Sequence, residues 1–413
     1  MKVLCVYTNK YPYTTVEPYL ESEVLHYSGF DKVYIFSLIV KKSEEKQRRA
    51  TPNNIEVFPI RNDKLRYILG SVRVLFDTNF YQEIRKLKRE SKISLRRIIT
   101  LLIYISRSHV DSKKICRLMK GKLRDSENIF YTYRFEFQPY TALLVKQKLH
   151  LEETRVVSRA HGYDLYEERS AGEYIPLRGY ILEHLDKVFP CSKAGENYLQ
   201  KKYPMWVDKI TTRYLGTNDY GVEEYRCNDL PFRIVSCSNV IKIKRLDRIV
   251  EVLSRLENKK IEWIHFGSGE EEDVIKRLAA EKLSENISIV FKGRVQNVDI
   301  MKFYVNNKID LFINLSDGEG LPVSIMEAFS VGIPCVATNV GGTSEIVSDG
   351  LNGFLVDATD TDDAIAAIVA KITNMDEDAY CSLRVEARKT WERKFDAEKN
   401  YREFNRDLLK LTL

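Results

Sequence analysis

Short apolar runs alternate with helical segments along most of the chain, and this alternation limits the fold more than any other feature. In the first half the runs are continuously apolar, which is typical of strands buried on both faces of a parallel sheet. We predict strands there at residues 3–8, 34–40, 55–60, 129–133, 155–159, 187–191 and 210–215. Intervening helices, such as 17–27 and 138–148, would cover both faces of that sheet.

The same alternation restarts at residue 233, after an irregular stretch at 218–231. It predicts a second doubly wound α/β unit. We therefore expect an N-terminal domain at 1–222, a C-terminal domain at 229–395, and a last helix at about 396–413 that packs back on the N-terminal domain. Two such domains would face each other across a cleft at the carboxyl ends of their sheets, where ligands bind in this fold class.

The composition favours a folded, cytoplasmic protein. The 413 residues are 44% hydrophobic and 30% charged, which excludes disorder for most of the chain. The longest apolar run, 98–105, is far shorter than the roughly 20 residues that span a bilayer. Seven Cys without a CxxC pair indicate reduced thiols, and residues 1–8 look like a strand rather than a signal peptide.

Positive charge is concentrated in one segment. Residues 85–124 contain 14 basic and 2 acidic residues, a net of +12, whereas the whole chain carries +6. Apolar residues recur at helical spacing between Leu95 and Ile103. A basic amphipathic helix suits an anionic membrane surface, and a core-packed helix with a solvated basic face explains the pattern equally well. No nucleic-acid-binding motif accompanies the charge, so we expect no nucleic acid partner.

The stretch at 314–329 carries the strongest chemical signal. A predicted strand ends at Leu315, a Gly-flanked turn containing Glu319 follows, and a helix begins near Pro322. Free amides at a helix start bind anions such as phosphate. Glu319 and Glu327 would then offer carboxylates to sugar and ribose hydroxyls beside that phosphate. From spacing alone, a loop acid and an unrelated exposed helix acid are an equally good interpretation.

A known family has the same arrangement. Glu319 and Glu327 are eight residues apart, and Gly-Ile-Pro and Gly-Gly-x-x-Glu elements follow within 332–345. This combination resembles the signature of retaining glycosyltransferases of family 4, and the likeness extends to the regions of His161 and Gly216. It implies the GT-B fold, two Rossmann-like doubly wound α/β domains facing a cleft. It also implies a UDP- or GDP-linked sugar as donor, with no cofactor and no metal.

The resemblance assigns roles in the second domain. Glu327 would hold the ribose, and Glu319 would contact the donor sugar at its reacting face. The phosphate or sugar would also meet the backbone of four consecutive residues: Gly320, Leu321, Pro322 and Val323. Lys244 matches a lysine that neutralises the diphosphate, where a cation stabilises charge building on the leaving group. A solvated basic turn that includes Lys242 and Arg245 is the alternative.

Two positions near the expected nucleotide are less regular. The family often has a Gly-Arg pair where this chain has Ser238 and Asn239, so one phosphate clamp is missing or supplied elsewhere. Residues 291–295 match a segment whose backbone reads the base. Arg294 would border or stack on the base next to Val295, or would simply be exposed.

His161 is the candidate catalytic residue of the first domain. It follows the predicted strand at 155–159 and would face the cleft. A lone histidine is more often structural, but the resemblance implies contact with the donor sugar near the reaction centre.

Asp360 and Asp362 form a D-x-D pattern, which binds metal in another glycosyltransferase fold. Both open a predicted helix, where acids complement the helix dipole. We therefore interpret them as capping residues and predict no metal site.

The residues and the resemblance together predict a retaining, metal-independent hexosyltransferase. It would move a sugar from a nucleotide-diphosphate donor to a hydroxyl of a saccharide or lipid-linked saccharide in surface polysaccharide biosynthesis. It would lie in the cytoplasm, peripheral on the inner face of the membrane. Two alternatives remain: a non-catalytic membrane-associated GT-B scaffold, supported by Asn239, and a GT-B-like sugar-nucleotide epimerase, disfavoured by the Glu319 and Glu327 pair.

Overall fold

The computed structural model describes residues 1–61, 64–170, 172–222, 231–256 and 259–412. The chain divides into two compact units. Unit 1 consists of Met1–Tyr214 and Tyr401–Leu413, and unit 2 consists of Leu215–Asn400. Each unit contains its own six-stranded parallel sheet, which confirms the α/β class predicted from the alternation.

The sheet of unit 1 is covered on both faces. Its strands are β1 Lys2–Thr8, β2 Lys32–Val40, β3 Ile55–Arg61, β4 Glu127–Thr132, β5 Arg155–Ala160 and β6 Lys187–Pro190, in the order β3-β2-β1-β4-β5-β6. Along β1, Val3, Cys5 and Tyr7 pack into one apolar cluster and Leu4 and Val6 into another. A strand between two clusters needs apolar residues at every position, which explains the continuous runs.

Short helices surround this sheet, with one long exception. They are α1 Tyr19–Glu23, α2 Lys64–Gly70, α3 Thr78–Arg89, α4 Leu95–Met119, α5 Gln138–Lys148, α6 Gly162–Leu165, α7 Arg178–His184 and α8 Lys193–Lys202. Further 3₁₀ turns lie at Val24–Gly29, Lys42–Glu44, Ser71–Phe76, Glu167–Arg169 and Pro204–Lys209. The long helix α4 carries most of the basic segment and begins where the Ser94 hydroxyl accepts a hydrogen bond from the Arg97 amide.

The strand predicted at 210–215 is wrong. Ile210 forms a single bridge with Val188, and the amide of Arg213 donates to the carbonyl of Pro190 at 3.0 Å. β6 ends at Pro190, so the segment follows its edge through only a few hydrogen bonds and does not continue as a strand.

Unit 2 repeats the same design. Its strands are β7 Phe232–Cys237, β8 Ile261–Phe266, β9 Ile287–Phe291, β10 Leu311–Asn314, β11 Cys335–Thr338 and β12 Gly353–Val356, in the order β12-β11-β10-β7-β8-β9. Its helices are α9 Leu246–Leu253, α10 Glu272–Lys282, α11 Asn297–Asn306, α12 Val323–Ser330, α13 Asp362–Thr373 and α14 Glu377–Lys394. Short 3₁₀ turns occupy Lys242–Lys244 and Thr343–Glu345.

The last helix, α15 Ala397–Lys410, follows α14 after a break at Asp396. Trp391 of α14 is fully buried, and its indole N–H donates to the Thr217 hydroxyl at 2.7 Å. Phe404 and Leu408 of α15 belong to an apolar cluster of unit 1. Most of the irregular stretch predicted at 218–231 lies outside the described residues.

The strand order reverses between β1 and β4 in unit 1 and between β7 and β10 in unit 2. At such a switch point the loops leaving two neighbouring strands diverge, and ligands bind in the crevice between them. Separately, no helix among the described residues has both the length and the apolar character needed to cross a bilayer.

Candidate active site

Lys244 and Glu319 meet at the switch point of unit 2. Lys244 ends the 3₁₀ turn after β7, and Glu319 lies in the loop after β10. Because β7 and β10 are neighbours, the two loops start side by side, and Nζ of Lys244 lies 2.7 Å from Oε1 of Glu319. Asn314, the last residue of β10, donates from Nδ2 to the same oxygen at 3.1 Å. Glu319 is buried, so water screens this ion pair only partly.

The Gly-Gly element holds the Glu319 loop in place. Gly341 has a φ of +59°, and a Cβ there would lie 2.1 Å from the carbonyl oxygen of Glu319. The amide of Gly342 donates to the carbonyl of Gly320 at 2.8 Å. Only glycine permits both the backbone conformation and the close approach. The element therefore positions Glu319 rather than contributing a side chain of its own.

The helix α12 begins at the end of that same loop. Pro322 precedes it, and its first hydrogen bond runs from the Ile325 amide to the Pro322 carbonyl at 3.1 Å. The amides of Val323 and Ser324 therefore come before the helix's own hydrogen-bond series. Both residues are half-buried, as are Gly320 and Leu321 in the loop. Amides and dipole together make this helix start favourable for an anion.

Glu327 lies in the buried part of α12. Its carboxylate accepts a hydrogen bond from Nδ2 of Asn297, the first residue of α11, at 2.6 Å. Burial raises the pKa of Glu327 to about 7 because it disfavours the charged form, and the hydrogen bond from Asn297 offsets part of that effect. A carboxylate that is costly to ionise gains the most from new hydrogen-bond donors. No role was predicted for Asn297 or for Asn314 from the sequence, although Asn314 opens the stretch at 314–329.

The other donor-side candidates lie on the loops that follow β7 and β9. Asn239 is exposed on the turn that follows β7. Arg294 is exposed and Val295 is half-buried in the loop between β9 and α11. That loop is tied to the turn after β8, because the amide of Gly267 donates to the carbonyl of Gly293 at 2.8 Å.

His161 occupies the end of β5 in unit 1, as the sequence predicted. Its main-chain amide donates to Oδ1 of Asp164 at 2.6 Å, and its Nδ1 lies 3.6 Å from Oδ2 of the same carboxylate. The imidazole packs on Tyr133, with ring centroids 4.7 Å apart. Burial lowers the pKa of His161, but the charges of Cys191 and Asp164 outweigh that effect and raise it to about 9.

The switch point of unit 1 contains a charged group that the sequence did not reveal. Glu17 accepts hydrogen bonds from the amides of Asn9, Lys10 and Tyr11, at 3.0, 2.9 and 3.0 Å. Nε of Arg134, which follows β4, lies 3.5 Å from the Glu17 carboxylate. An internal carboxylate thus occupies the amides that follow β1 and holds the loop at residues 9–17 in place.

The D-x-D residues are bound within the protein. Asp362 opens α13, and its Oδ1 lies 3.1 Å from Nε of Arg248. Asp360 accepts a hydrogen bond from the Asp357 amide at 2.7 Å. In the described part of the chain, no group of three or more His, Cys, Asp and Glu residues is arranged to hold a metal ion.

Residues 223–390 match the protein family described as glycosyl transferases group 1. The matched residues make up most of unit 2. Among the curated relatives, the O-antigen biosynthesis glycosyltransferase WbnH of Escherichia coli is 32% identical over 139 residues, which cover 33% of this chain and 37% of the relative. The chain spans less than two thirds of the length of the foremost curated relatives.

Solved structures resemble the chain over its whole length. The lipopolysaccharide outer core galactosyltransferase WaaB has a TM-score of 0.70 at 14% identity, with 100% of both chains covered. HepE of Anabaena, in complex with UDP-glucose, has a TM-score of 0.63 at 14% identity, with 99% of both chains covered. At such identities the likeness establishes the fold, which is the expected GT-B fold.

Proposed function

We propose that this chain is a retaining glycosyltransferase of group 1 that uses a nucleotide-diphosphate sugar. The observation that carries the proposal is the ion pair between Lys244 and Glu319 at the switch point of unit 2, in the loops next to the start of α12. One cation, free helix-start amides and a carboxylate for sugar hydroxyls are the groups that a sugar diphosphate requires. The UDP-glucose bound to HepE supports a donor of this class.

Each group has a distinct part in donor binding. The amides at the start of α12 and the Lys244 ammonium take the diphosphate. Glu319, held by Lys244 and Asn314, accepts hydrogen bonds from the transferred sugar. Glu327 accepts from the ribose hydroxyls, with Asn297 keeping its carboxylate in place. We assign Arg294 and Val295 to the border of the base and His161 to the sugar.

In the proposed reaction, the bond between the anomeric carbon and the diphosphate oxygen breaks while a bond to the acceptor hydroxyl oxygen forms on the same face. The hydroxyl proton passes to the departing phosphate oxygen. Negative charge therefore grows on the diphosphate, and Lys244 with the helix-start amides stabilises it most in the transition state. Glu319 is already paired with Lys244, which suits a hydrogen-bond acceptor better than a nucleophile.

We propose a lipid-linked saccharide as the acceptor, bound by unit 1, in surface polysaccharide biosynthesis at the inner face of the membrane. WbnH acts in O-antigen biosynthesis and WaaB on the lipopolysaccharide outer core. A cavity of about 210 Å³ in unit 1 is lined by Arg97, Glu167, Tyr174 and Tyr203, among others. Its aromatic rings and charged hydrogen-bonding groups suit a saccharide.

The decisive test is the stereochemistry of the product. With an α-linked UDP- or GDP-sugar and a saccharide acceptor, we expect transfer that gives an α-linked product, read from the anomeric signal in the NMR spectrum. A β-linked product would overturn the retaining assignment. Conversion of the donor alone into an isomeric sugar nucleotide would instead favour the epimerase.

Activity is expected to survive an excess of chelator. The proposed diphosphate site uses Lys244 and main-chain amides, and the acids of the D-x-D pattern already bind Arg248 and the Asp357 amide. The rate should be measured with EDTA and after adding magnesium or manganese. Complete loss with EDTA and recovery with either metal would contradict the proposed site.

A further inference from the structure

The region around α4 exposes an unusual amount of apolar surface. Almost half of the large apolar side chains that are exposed in the described residues lie between residues 65 and 103. Eight of them, which we call the apolar surface, are Leu65, Ile68, Val72, Leu75, Phe76, Leu95, Ile99 and Ile103. Patches of this kind on a folded domain usually mark an interaction site.

The first five belong to α2 and the 3₁₀ turn that continues it. The opposite face of this segment packs on α4: a Cβ at Gly70 would lie 2.6 Å from Val110, and the Ser106 hydroxyl donates to the Tyr67 carbonyl. The intervening residues at 65, 68, 72 and 75 follow helical spacing on the other side. The segment therefore has one side packed on α4 and exposed apolar residues on the other side.

The remaining three lie on α4 itself. Leu95, Ile99 and Ile103 are spaced by four residues and so share one face of the helix. Ser106 and Val110 continue that face, and there α2 covers it. The 3₁₀ turn and α3 also pack on α4. The exposed residues of α2 and α4 therefore lie on neighbouring elements of unit 1 that pack on each other.

The exposed charges within residues 64–124 are almost all positive. Of the carboxylates at 64–124, Asp77 is buried with His109, Glu83 is buried with Tyr174, and Asp111 is buried beside Arg107. Glu90 is the one exposed carboxylate of that segment. Exposed cations flank the apolar surface at Arg73, Arg85, Lys88, Arg89 and Arg96.

Two arginines of the basic segment have structural contacts instead. The Arg107 guanidinium lies 3.6 Å from the Phe137 ring centroid and 3.6 Å from Asp111. Arg97 donates to the carbonyls of Gly172 and Lys92, at 3.1 and 2.7 Å. Arg97 and Arg107 are therefore engaged within the protein and are not counted among the cations offered to a membrane.

We propose that the apolar surface inserts into the boundary between headgroups and acyl chains of an anionic bilayer, while its flanking cations bind lipid phosphates. Apolar side chains ringed by Lys and Arg match such a boundary. A second copy of this chain is disfavoured as the occupant, because it would bring like-charged rims together. The inference deepens the proposed function by naming its membrane partner, but vesicle binding can be measured without sugar transfer.

The apolar contribution is tested with Ile68→Ser combined with Phe76→Ser. The matched control is Leu25→Ser with Met205→Ser, in which Met205 and Phe76 are both 84% exposed. Full-length proteins are sedimented with vesicles of phosphatidylglycerol and phosphatidylcholine. We expect the Ile68 and Phe76 variant to bind at least roughly tenfold more weakly than the control, since each inserted side chain favours binding. Equal binding of the variant and the control would overturn insertion.

The charge contribution is tested with Arg73, Arg85 and Arg96 changed to Gln, against Lys46→Gln with Lys201→Gln as exposed controls. The triple variant should bind roughly 100-fold more weakly. Wild-type binding should weaken from about 0.1 to 1 M salt, as the screening length falls from roughly 10 to 3 Å.

Other outcomes would point to other partners. If the wild type binds vesicles of phosphatidylcholine alone equally well, the anionic partner is overturned. If the wild type dimerises and the Phe76 variant does not, a second copy of the chain is favoured. Unchanged vesicle binding by a protein inactive with every donor would contradict only the proposed function.

Discussion

Replacing Lys244 with alanine is expected to lower kcat by about 100- to 1000-fold, the range seen when one preorganised donor to a developing anion is removed. The Lys244 ammonium lies 2.7 Å from Glu319 at the start of α12, where the leaving diphosphate is proposed to bind. Its attraction grows as the bond to the sugar breaks, so the loss should fall mainly on kcat rather than on the donor KM. Steady-state kinetics with a saturating acceptor separate the two constants.

The chain offers a close control for this change. Lys242 belongs to the same 3₁₀ turn but is exposed, and Lys242→Ala should leave kcat within a few-fold of the wild type. Lys244→Arg keeps the charge and should recover part of the rate. If Lys242→Ala and Lys244→Ala lower kcat equally, the turn contributes only general positive charge and the assigned role of Lys244 is wrong. A thermal unfolding curve shows whether Lys244→Ala leaves unit 2 folded.

The fold was largely predictable because its strands are buried on both faces. Continuous apolar runs located β1 and β10 to within a residue or two, since every position of such a strand faces a core. The strand prediction at 210–215 was wrong for a reason that lies outside the composition of that segment. Its pairing depends on how far β6 extends, and β6 ends at Pro190.

Contacts within the candidate site were less predictable. Resemblance singled out Lys244 and Glu319 separately, but their contact joins residues 75 positions apart and follows from the adjacency of β7 and β10. Asn297 and Glu327 are 30 positions apart. A single sequence contains no signal for such pairs, because asparagines at helix and strand ends usually serve the local backbone.

The apolar surface shows a different limit. Leu65, Ile68 and Val72 have the spacing of a helix that buries one face in a core. Tyr67 and Gly70, on the other side, fill that role against α4. Periodicity identifies an amphipathic segment, but which side meets the core is decided by tertiary packing.

Replacing Glu327 with glutamine is expected to raise the unfolding free energy of unit 2 at alkaline pH and to weaken binding of the donor. The carboxyl has a pKa of about 7 in the folded chain against an ordinary 4.5. Below 4.5 the folded and unfolded chains both hold the proton, so ionisation costs nothing. As pH rises from 4.5 to 7 the unfolded chain releases its proton first, and stability falls. Above pH 7 the free energy of unfolding is lower than at pH 4.5 by the full contribution of this carboxyl, about 3 kcal/mol.

Glutamine has no proton to release, and its carbonyl oxygen can still accept from Asn297. Glu327→Gln should therefore exceed the wild type in unfolding free energy by about 3 kcal/mol at alkaline pH, with the difference shrinking toward zero as pH falls to 4.5. Denaturant unfolding at several pH values measures this difference. The donor KM should rise roughly 10- to 100-fold, because a hydrogen bond to a charged group contributes about 1.5–3 kcal/mol.

The two effects arise from the same buried carboxylate and can be separated. Glu281→Gln, an exposed change on α10, should alter stability by less than about 0.5 kcal/mol at any pH and leave the donor KM unchanged. A Glu327→Gln variant that is stabilised but keeps its donor KM would place the ribose elsewhere. A Glu327→Gln variant that loses donor affinity but shows no pH-dependent gain in unfolding free energy would mean that Glu327 is more solvated than its surroundings indicate. Only the joint result supports a carboxylate kept in a destabilising position because the ribose hydroxyls require it.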